Sequence, residues 1–192
     1  MKTLQLQFKT TNHLLSRATI TLCLGMLALA LAGCSTTSNT KLVRYEEAER
    51  IANAQIKTFD NLDFDVFTNQ KWDRLHESHS QDVIVHWPDG HATKGIEKHI
   101  EDLKGMFVYA PDTRILEHPV KFASGDWTSV IGVMEGTFTK PMVTPDGKTI
   151  PPTGKPFKIK MCTVGHWKNG TMDEEYLFWD NLTFMKQIGL AQ

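Results

Sequence analysis

FKIKMCTVGHWKNGTMDEEYLFW, residues 157–179, is the stretch that decides the fold of this chain. It contains two runs in which apolar and polar residues alternate, with Asn169-Gly170 between them. Alternation with a period of two is typical of β-strands, and Asn-Gly between such runs is a strong hairpin signal. We therefore predict an antiparallel pair of strands over 157–167 and 171–179.

The chain before this hairpin predicts two further antiparallel strands, over 113–123 and 127–139, separated by Ser124-Gly125-Asp126. Residues 140–155 contain several Pro and Gly residues and are expected to form an ordered, protruding loop. An earlier β-branched run over 83–87 ends at Pro88 and predicts one more strand.

Helical spacing of apolar residues dominates the remaining mature chain. It predicts amphipathic helices over 45–59 and 95–109, a shorter helix starting near Thr68, and a terminal helix over 182–188. Helices come first and strands mostly follow, which favours the α+β class: N-terminal helices packed on a strongly curved, mainly antiparallel sheet. We expect one domain over 41–192.

Composition excludes several function classes. The 192 residues carry 21 Lys and Arg against 22 Asp and Glu, so no basic surplus exists to neutralise phosphates, and nucleic acid is not an expected partner. The three cysteines, Cys23, Cys34 and Cys162, are too few and too scattered for a disulfide framework.

The first forty residues have the layout of a bacterial lipoprotein export signal. Lys2, Lys9 and Arg17 precede an apolar run that is too short to be a permanent membrane span, and the run ends in Ala32-Gly33-Cys34. This order resembles a lipobox, which implies a signal peptide over 1–33, lipidation of Cys34 and a polar tether over 34–40. We expect a lipid-anchored protein of the cell envelope, on the periplasmic face of the outer membrane if the cell has two membranes.

The last predicted strand carries candidate chemistry on one face. Glu174, Tyr176, Phe178 and Asp180 alternate with Glu175, Leu177 and Trp179. If the first face is concave, Asp180 is partly desolvated, its pKa is raised and it can act as a general base. The alternative is that Asp180 only caps the terminal helix, and the two interpretations are compatible.

Histidines offer a second set of candidates. His86 ends a strand that is otherwise built to be buried, so its ring faces either a pocket or a buried backbone carbonyl. His76, His79, His86 and His91 cluster in sequence, but a solvated surface explains this spacing better than a metal site, and no metal ligand is predicted.

Aromatic and sulfur-containing side chains suit an apolar cavity for a small hydrophobic or aromatic molecule, although the same residues can form an ordinary core. The predicted pocket consists of Trp87, Met106, Phe107, Tyr109, Phe138, Met161, His166, Glu174 and Phe178.

Several motifs in this order resemble the SnoaL-like polyketide cyclase family of the nuclear-transport-factor-2-like superfamily. They are DVIVH at 82–86 followed by GIE at 95–97, FVYAPD at 107–112, SGD at 124–126, EGTF at 135–138, PTGK at 152–155, and the tail from Asn169 to Leu190. The resemblance covers about residues 68–190 and implies a cone-shaped α+β barrel with a pocket between helices and sheet.

The resemblance further implies acid/base chemistry without a metal or cofactor, in which an aspartate removes an acidic proton from a polyketide ester. Carried onto this chain, Asp180 is the base, and His86 and Tyr176 are hydrogen-bonding groups of the pocket. The chain departs from the family pattern at Phe138 and Tyr176, where many relatives have histidine and tryptophan, and His166 is displaced. The alternative is a non-catalytic binding or assembly module that forms a homodimer through the outer face of the sheet.

Overall fold

The computed structural model describes residues 39–144 and 146–192. Helix α1 spans 39–61 and continues into a π-helical turn at Leu62–Phe67, and a 3₁₀ helix follows at Trp72–Glu77. Helix α2 is Ile96–Tyr109, and helix α3 is Asn181–Gln187. Among the described residues, no helix combines the length and apolar character needed to cross a bilayer.

The described residues also form nine strands. They are β1 (His79–His86), β2 (Ala92–Lys94), β3 (Arg114–Ile115), β4 (Val120–Ser124), β5 (Trp127–Thr137), β6 (Met142–Val143), β7 (Thr149–Ile150), β8 (Pro156–Lys168) and β9 (Thr171–Trp179). Seven of them form one sheet in the order β2-β1-β9-β8-β5-β3, with β4 also paired to β5. β6 and β7 form a separate small hairpin within the predicted loop over 140–155.

The predicted α+β class is confirmed, with helices on one side of a curved, mostly antiparallel sheet. The β8–β9 hairpin turns at Asn169 and Gly170, which both have positive φ, as the Asn-Gly signal requires. One pairing was not predicted: β1 lies parallel to β9, between β9 and the edge strand β2.

Two predicted boundaries differ in the structure. Residues 39 and 40, assigned to the tether, are already helical, and the compact body of the chain is Ala48–Gln192. Thr68 does not begin a helix: its hydroxyl donates to the Asp63 carbonyl at 2.7 Å and accepts the Ile115 N–H at 3.0 Å, and Thr68 ends the π-helical turn. The predicted export signal over 1–33 and the lipidation site Cys34 lie outside the described residues.

The core lies between the helices and the inner face of the sheet. Phe59 and Leu75 from the helical segments are almost fully buried, as are Val83, Val130 and Met172 from the strands. Helix α2 buries one stripe at Ile96, His99, Leu103 and Phe107, and one of these four residues is polar. A buried histidine needs polar partners, so His99 indicates a polar site within the core.

Strand register defines the two faces of the sheet. Cα partners across β5, β8 and β9 place Thr163 opposite both Val130 and Leu177, on the inner face. Residues 127, 166 and 174 also lie opposite one another, on the outer face. By the same register, Glu174 lies on the outer face and Glu175 on the inner face.

Candidate functional site

An internal cavity of about 40 Å³ lies between the inner face of the sheet, the π-helical turn and α2. This volume has room for roughly one to three water molecules. Its apolar wall consists of Leu62, Phe67, Trp87, Leu103, Met106, Ile115, Met134, Met161, Leu177 and Trp179. Asp63, His99, Thr163 and Glu175 supply its polar groups.

Asp63 is the most unusual of these groups. The π-helical turn directs its carboxylate inward, where Oδ2 accepts a hydrogen bond from His118 Nε2 at 2.8 Å. Burial raises the pKa of Asp63, and the hydrogen bond from His118 only partly offsets this. A buried carboxyl with a raised pKa beside an apolar cavity is suited to acid/base chemistry.

His118 connects this carboxyl to the surface. Its Nδ1 lies 2.8 Å from Asp60 Oδ1, and Lys121 pairs with the same Asp60 carboxylate. Burial alone would lower the pKa of His118, but its hydrogen bonds to Asp63 and Asp60 outweigh burial, and the pKa is raised. The result is a chain of polar groups from the cavity to Lys121.

A second group of polar residues also lies at the wall of the cavity. His99 Nε2 lies 3.3 Å from Glu175 Oε2, and His79 Nε2 lies 3.6 Å from the same oxygen. All three residues are buried. Burial lowers the pKa of His99 to about 4, against an opposing effect of Glu175, so this imidazole is neutral near pH 7.

The structure corrects the predicted placement of Glu174, Tyr176 and Phe178, which lie on the outer face of β9. The chain has Leu177 and Trp179 at the alternate positions, and burial of these two apolar side chains turns Glu175 inward with them. Met172 and Glu175 are both buried although three residues apart, so the alternation also shifts by one residue within β9.

Two predicted pocket histidines also lie on the outer face. His86 Nε2 is 2.8 Å from Glu174 Oε1, and its ring stacks on Tyr176 at 4.2 Å between centroids. His166 pairs with Asp173 at 2.6 Å and contacts Trp127. His86, Glu174 and Tyr176 therefore meet, as the predicted site required, but outside the cavity.

Asp180 caps α3 and does not line the cavity. Its carboxylate accepts hydrogen bonds from the Thr183 backbone N–H at 3.0 Å and from the Thr183 hydroxyl at 2.6 Å. These bonds lower the pKa of the exposed carboxyl, whereas the predicted general base needed a raised pKa. The structure thus has the helix-cap arrangement and lacks the predicted desolvation.

The remaining predicted pocket residues divide into two groups. Trp87, Met106 and Met161 line the cavity. Phe107, Tyr109 and Phe138 pack in the core beside it: Phe107 contacts Phe67 and Trp72, and Tyr109 contacts Phe138 and Phe184. Burial raises the pKa of Tyr109 to about 12, so its phenol stays neutral.

Sequence reasoning missed Asp63, His79, His99, His118 and Glu175. Two of them had a detectable signal, because Asp63 follows Phe59 by one helical turn and His99 stands in the stripe of Ile96 and Leu103. His118 lies in the irregular connection between β3 and β4, where no periodicity predicts its direction.

Comparison with known proteins agrees with this architecture. The family model for the SnoaL-like polyketide cyclases matches residues 41–188. A SnoaL-like polyketide cyclase structure from Jannaschia sp. CCS1 is 21% identical, with 74% of this chain and 96% of that chain covered and a TM-score of 0.64. No functionally curated protein matches the chain.

Two further solved structures are similar. IdmH, described as a polyketide cyclase from Streptomyces antibioticus, is 22% identical over 70% of this chain and 98% of its own, with a TM-score of 0.59. A polyketide cyclase homologue from Xanthomonas campestris is 15% identical over 71% and 98%, with a TM-score of 0.60. Identities this low show a shared fold, whereas the family model spans most of the sequence itself. The chain therefore belongs to the SnoaL-like polyketide cyclase family.

Proposed function

We propose that this protein binds a small apolar carbonyl compound in the internal cavity and transfers a proton from its acidic C–H group to Asp63. The observation that carries the proposal is the position of Asp63: a buried carboxyl at the wall of a mostly apolar cavity, with His118 bonded to it. The family fold supports a ligand-binding, cyclase-type function.

The surroundings of Asp63 suit a general base. Proton transfer is most efficient when the pKa of the base is close to the working pH, and burial shifts the pKa of Asp63 in that direction. His118 holds the carboxylate in one orientation, while Asp60 and Lys121 secure the far side of the His118 ring. The apolar wall excludes the water that would otherwise solvate the carboxylate.

A ring-sized ligand needs more space than the cavity of about 40 Å³ offers. Met106 and Met161 are half-buried on its wall, and methionine side chains rearrange easily because they are unbranched. We propose that these two side chains move aside when the ligand enters.

Hydrogen–deuterium exchange tests the proposal directly. Acetophenone, an aromatic methyl ketone, serves as the probe, and ¹H NMR in D₂O follows loss of its methyl signal with the wild-type protein. Asp63→Asn should slow the protein-dependent exchange by about 10²- to 10⁴-fold, the usual contribution of a general base. Asp180→Asn is the matched control and should exchange at nearly the wild-type rate. Loss of exchange in Asp180→Asn alone would instead assign the base to Asp180.

We also propose that the mature protein is anchored to the envelope membrane by acyl chains on Cys34. The support is the sequence alone: a basic start, a short apolar run and Ala32-Gly33-Cys34. Cys34→Ala removes the acylation site. The mature protein should therefore disappear from the membrane fraction, and the chain should be found as an unprocessed precursor or in the soluble fraction. Mass spectrometry of the wild-type N-terminal peptide should show an acylated Cys34, and an unmodified thiol there would contradict the anchor.

A second candidate function is a non-catalytic assembly module. The outer face of the sheet favours it, because Phe122, Trp127 and Phe178 are exposed there. Failure of the wild-type protein to exchange any carbonyl probe, together with self-association through this face, would favour this function.

A further inference from the structure

The buried cluster of His79, His99 and Glu175 has no complete set of hydrogen bonds. His79 Nε2, His99 Nδ1 and Glu175 Oε2 are all shielded from solvent, and none has a hydrogen-bond partner. Leaving one such polar atom unpaired costs about 1–3 kcal/mol, so the pair that faces each other, His79 Nε2 and Glu175 Oε2, calls for a physical explanation.

The hydrogen bonds around Ser78 show which atom His79 presents. The Ser78 hydroxyl has one proton, and it donates to the Leu75 carbonyl at 3.1 Å. Ser78 Oγ, 2.9 Å from His79 Nδ1, is therefore the acceptor of the Nδ1–H. His79 Nε2 is then the ring nitrogen left without a partner, and it lies 3.6 Å from Glu175 Oε2.

A positive centre between these two unpartnered buried atoms would satisfy both of them. The ligand atoms of His79, His99 and Glu175 all lie within 4.8 Å of one another. Ligands bound tetrahedrally at about 2.1 Å are roughly 3.4 Å apart, and both imidazole-to-carboxylate distances, 3.3 and 3.6 Å, are close to this value. The third separation, between the two histidines, is at most 4.8 Å.

We propose that His79, His99 and Glu175 bind one divalent first-row transition metal ion at the wall of the cavity. Two imidazoles and one carboxylate are a donor set that suits Zn²⁺, Fe²⁺ and Co²⁺ better than Ca²⁺ or Mg²⁺, which prefer oxygen ligands. Ser78 is the positioning residue, because its bond to Nδ1 holds the ring as metal-bound histidines are usually held.

The remaining coordination positions of the ion face the cavity, since His99 and Glu175 both line it. A bound molecule with a carbonyl or hydroxyl oxygen could reach them there. The proposal goes beyond the proposed function, because Asp63 belongs to a separate hydrogen-bonded group and metal binding is measured without any turnover.

Titration with Co²⁺ alone tests the site. The purified protein is first dialysed against a chelator, and visible absorption is then followed during the titration. We expect one Co²⁺ per chain, with the intense bands of a low-coordinate site, and displacement by Zn²⁺. Glu175→Gln should abolish these bands in a protein that remains folded by circular dichroism.

Ser78→Ala keeps the test valid if changes at the three buried ligands prevent folding. It leaves the ligands in place but removes the orienting acceptor, so Co²⁺ affinity should fall by about 10- to 100-fold. Ser80→Ala, at a partly buried serine of β1 whose hydroxyl donates to Asp82, is the matched control and should bind as the wild type does. His91→Gln controls for binding at surface histidines. No Co²⁺ bands in the wild type, or equal affinity in wild type and Ser78→Ala, would overturn the proposal.

Discussion

His118 shows how one side chain connects the surface of this protein to its cavity. Its side chain is 1% exposed, yet both ring nitrogens contact carboxylates, Asp60 on one side and Asp63 on the other. A buried imidazolium is stable only when such partners repay its loss of hydration. The fold thus keeps a charged group, the His118 ring, beside the cavity and supports it with hydrogen bonds to Asp60 and Asp63.

The raised pKa of His118 predicts a pH-dependent contribution to stability. Folding raises this pKa above its unfolded value of about 6.5, so the stabilisation is complete below that value. It is lost as the pH rises through the folded pKa. His118→Gln should lower the free energy of unfolding by about 3 kcal/mol near pH 6, and by less at higher pH.

Urea denaturation of the wild type and the variant across this pH range measures the effect. His91→Gln, at an exposed histidine that also pairs with an aspartate, should change stability little at any pH. A His118→Gln deficit that grows with pH would contradict the assigned sign.

Strand β9 shows how one element decides which residues can form a site. Its sequence offers two faces of mixed polarity, one with Glu174, Tyr176 and Phe178 and the other with Glu175, Leu177 and Trp179. Packing against β8 and the helices selects the second face for the interior. A shift of one residue exchanges the two sets completely, so the alternation alone could not identify the face that lines the cavity.

Gly165 on β8 provides a test of packing within the sheet. A Cβ added there would collide with Met172 Sδ and lie 3.1 Å from Thr128 Oγ1, and Met172 is fully buried. Gly165→Ala should therefore lower the free energy of unfolding by about 1–3 kcal/mol.

Gly105→Ala is the matched substitution in α2. An added Cβ meets nothing within 4 Å there, and the position is exposed in a helix. This change should raise stability by up to about 1 kcal/mol, because alanine favours the helix more than glycine does. Urea denaturation compares the two variants, and equal effects would contradict the packing described at Gly165.

At the scale of the whole molecule, the sheet separates two polar-aromatic surfaces. The inner surface encloses the cavity with Asp63 and Glu175, while the outer surface exposes Phe122, Trp127 and Phe178. Exposed large apolar side chains that share one face often mark an interaction site. The homodimer through the sheet stays a prediction that this exposure supports.

Sedimentation velocity measures the predicted association. Phe122→Lys places a charge on the outer face, at the edge strand β4, and should shift a wild-type dimer to monomer. Val143→Lys makes the same change at an exposed position in the β6–β7 hairpin, outside this face, and should leave the dimer intact. A monomeric wild type at all concentrations would rule out the interface.

The sequence by itself determined the fold class, the β8–β9 hairpin and α2, because period-two and period-3.6 patterns and the Asn-Gly turn are local signals. It also carried the family resemblance, which the family model confirms. Only the tertiary structure decided the site. Its polar residues lie far apart in the chain: Asp63, His99, His118 and Glu175. They are brought together by the π-helical turn, α2 and the parallel β1–β9 pairing, and no local sequence pattern encodes how these elements pack on one another. The sequence favours Asp180 as the base because it shares a strand face with Glu174 and Tyr176 and matches the family pattern, but the start of α3 holds its carboxylate at the surface.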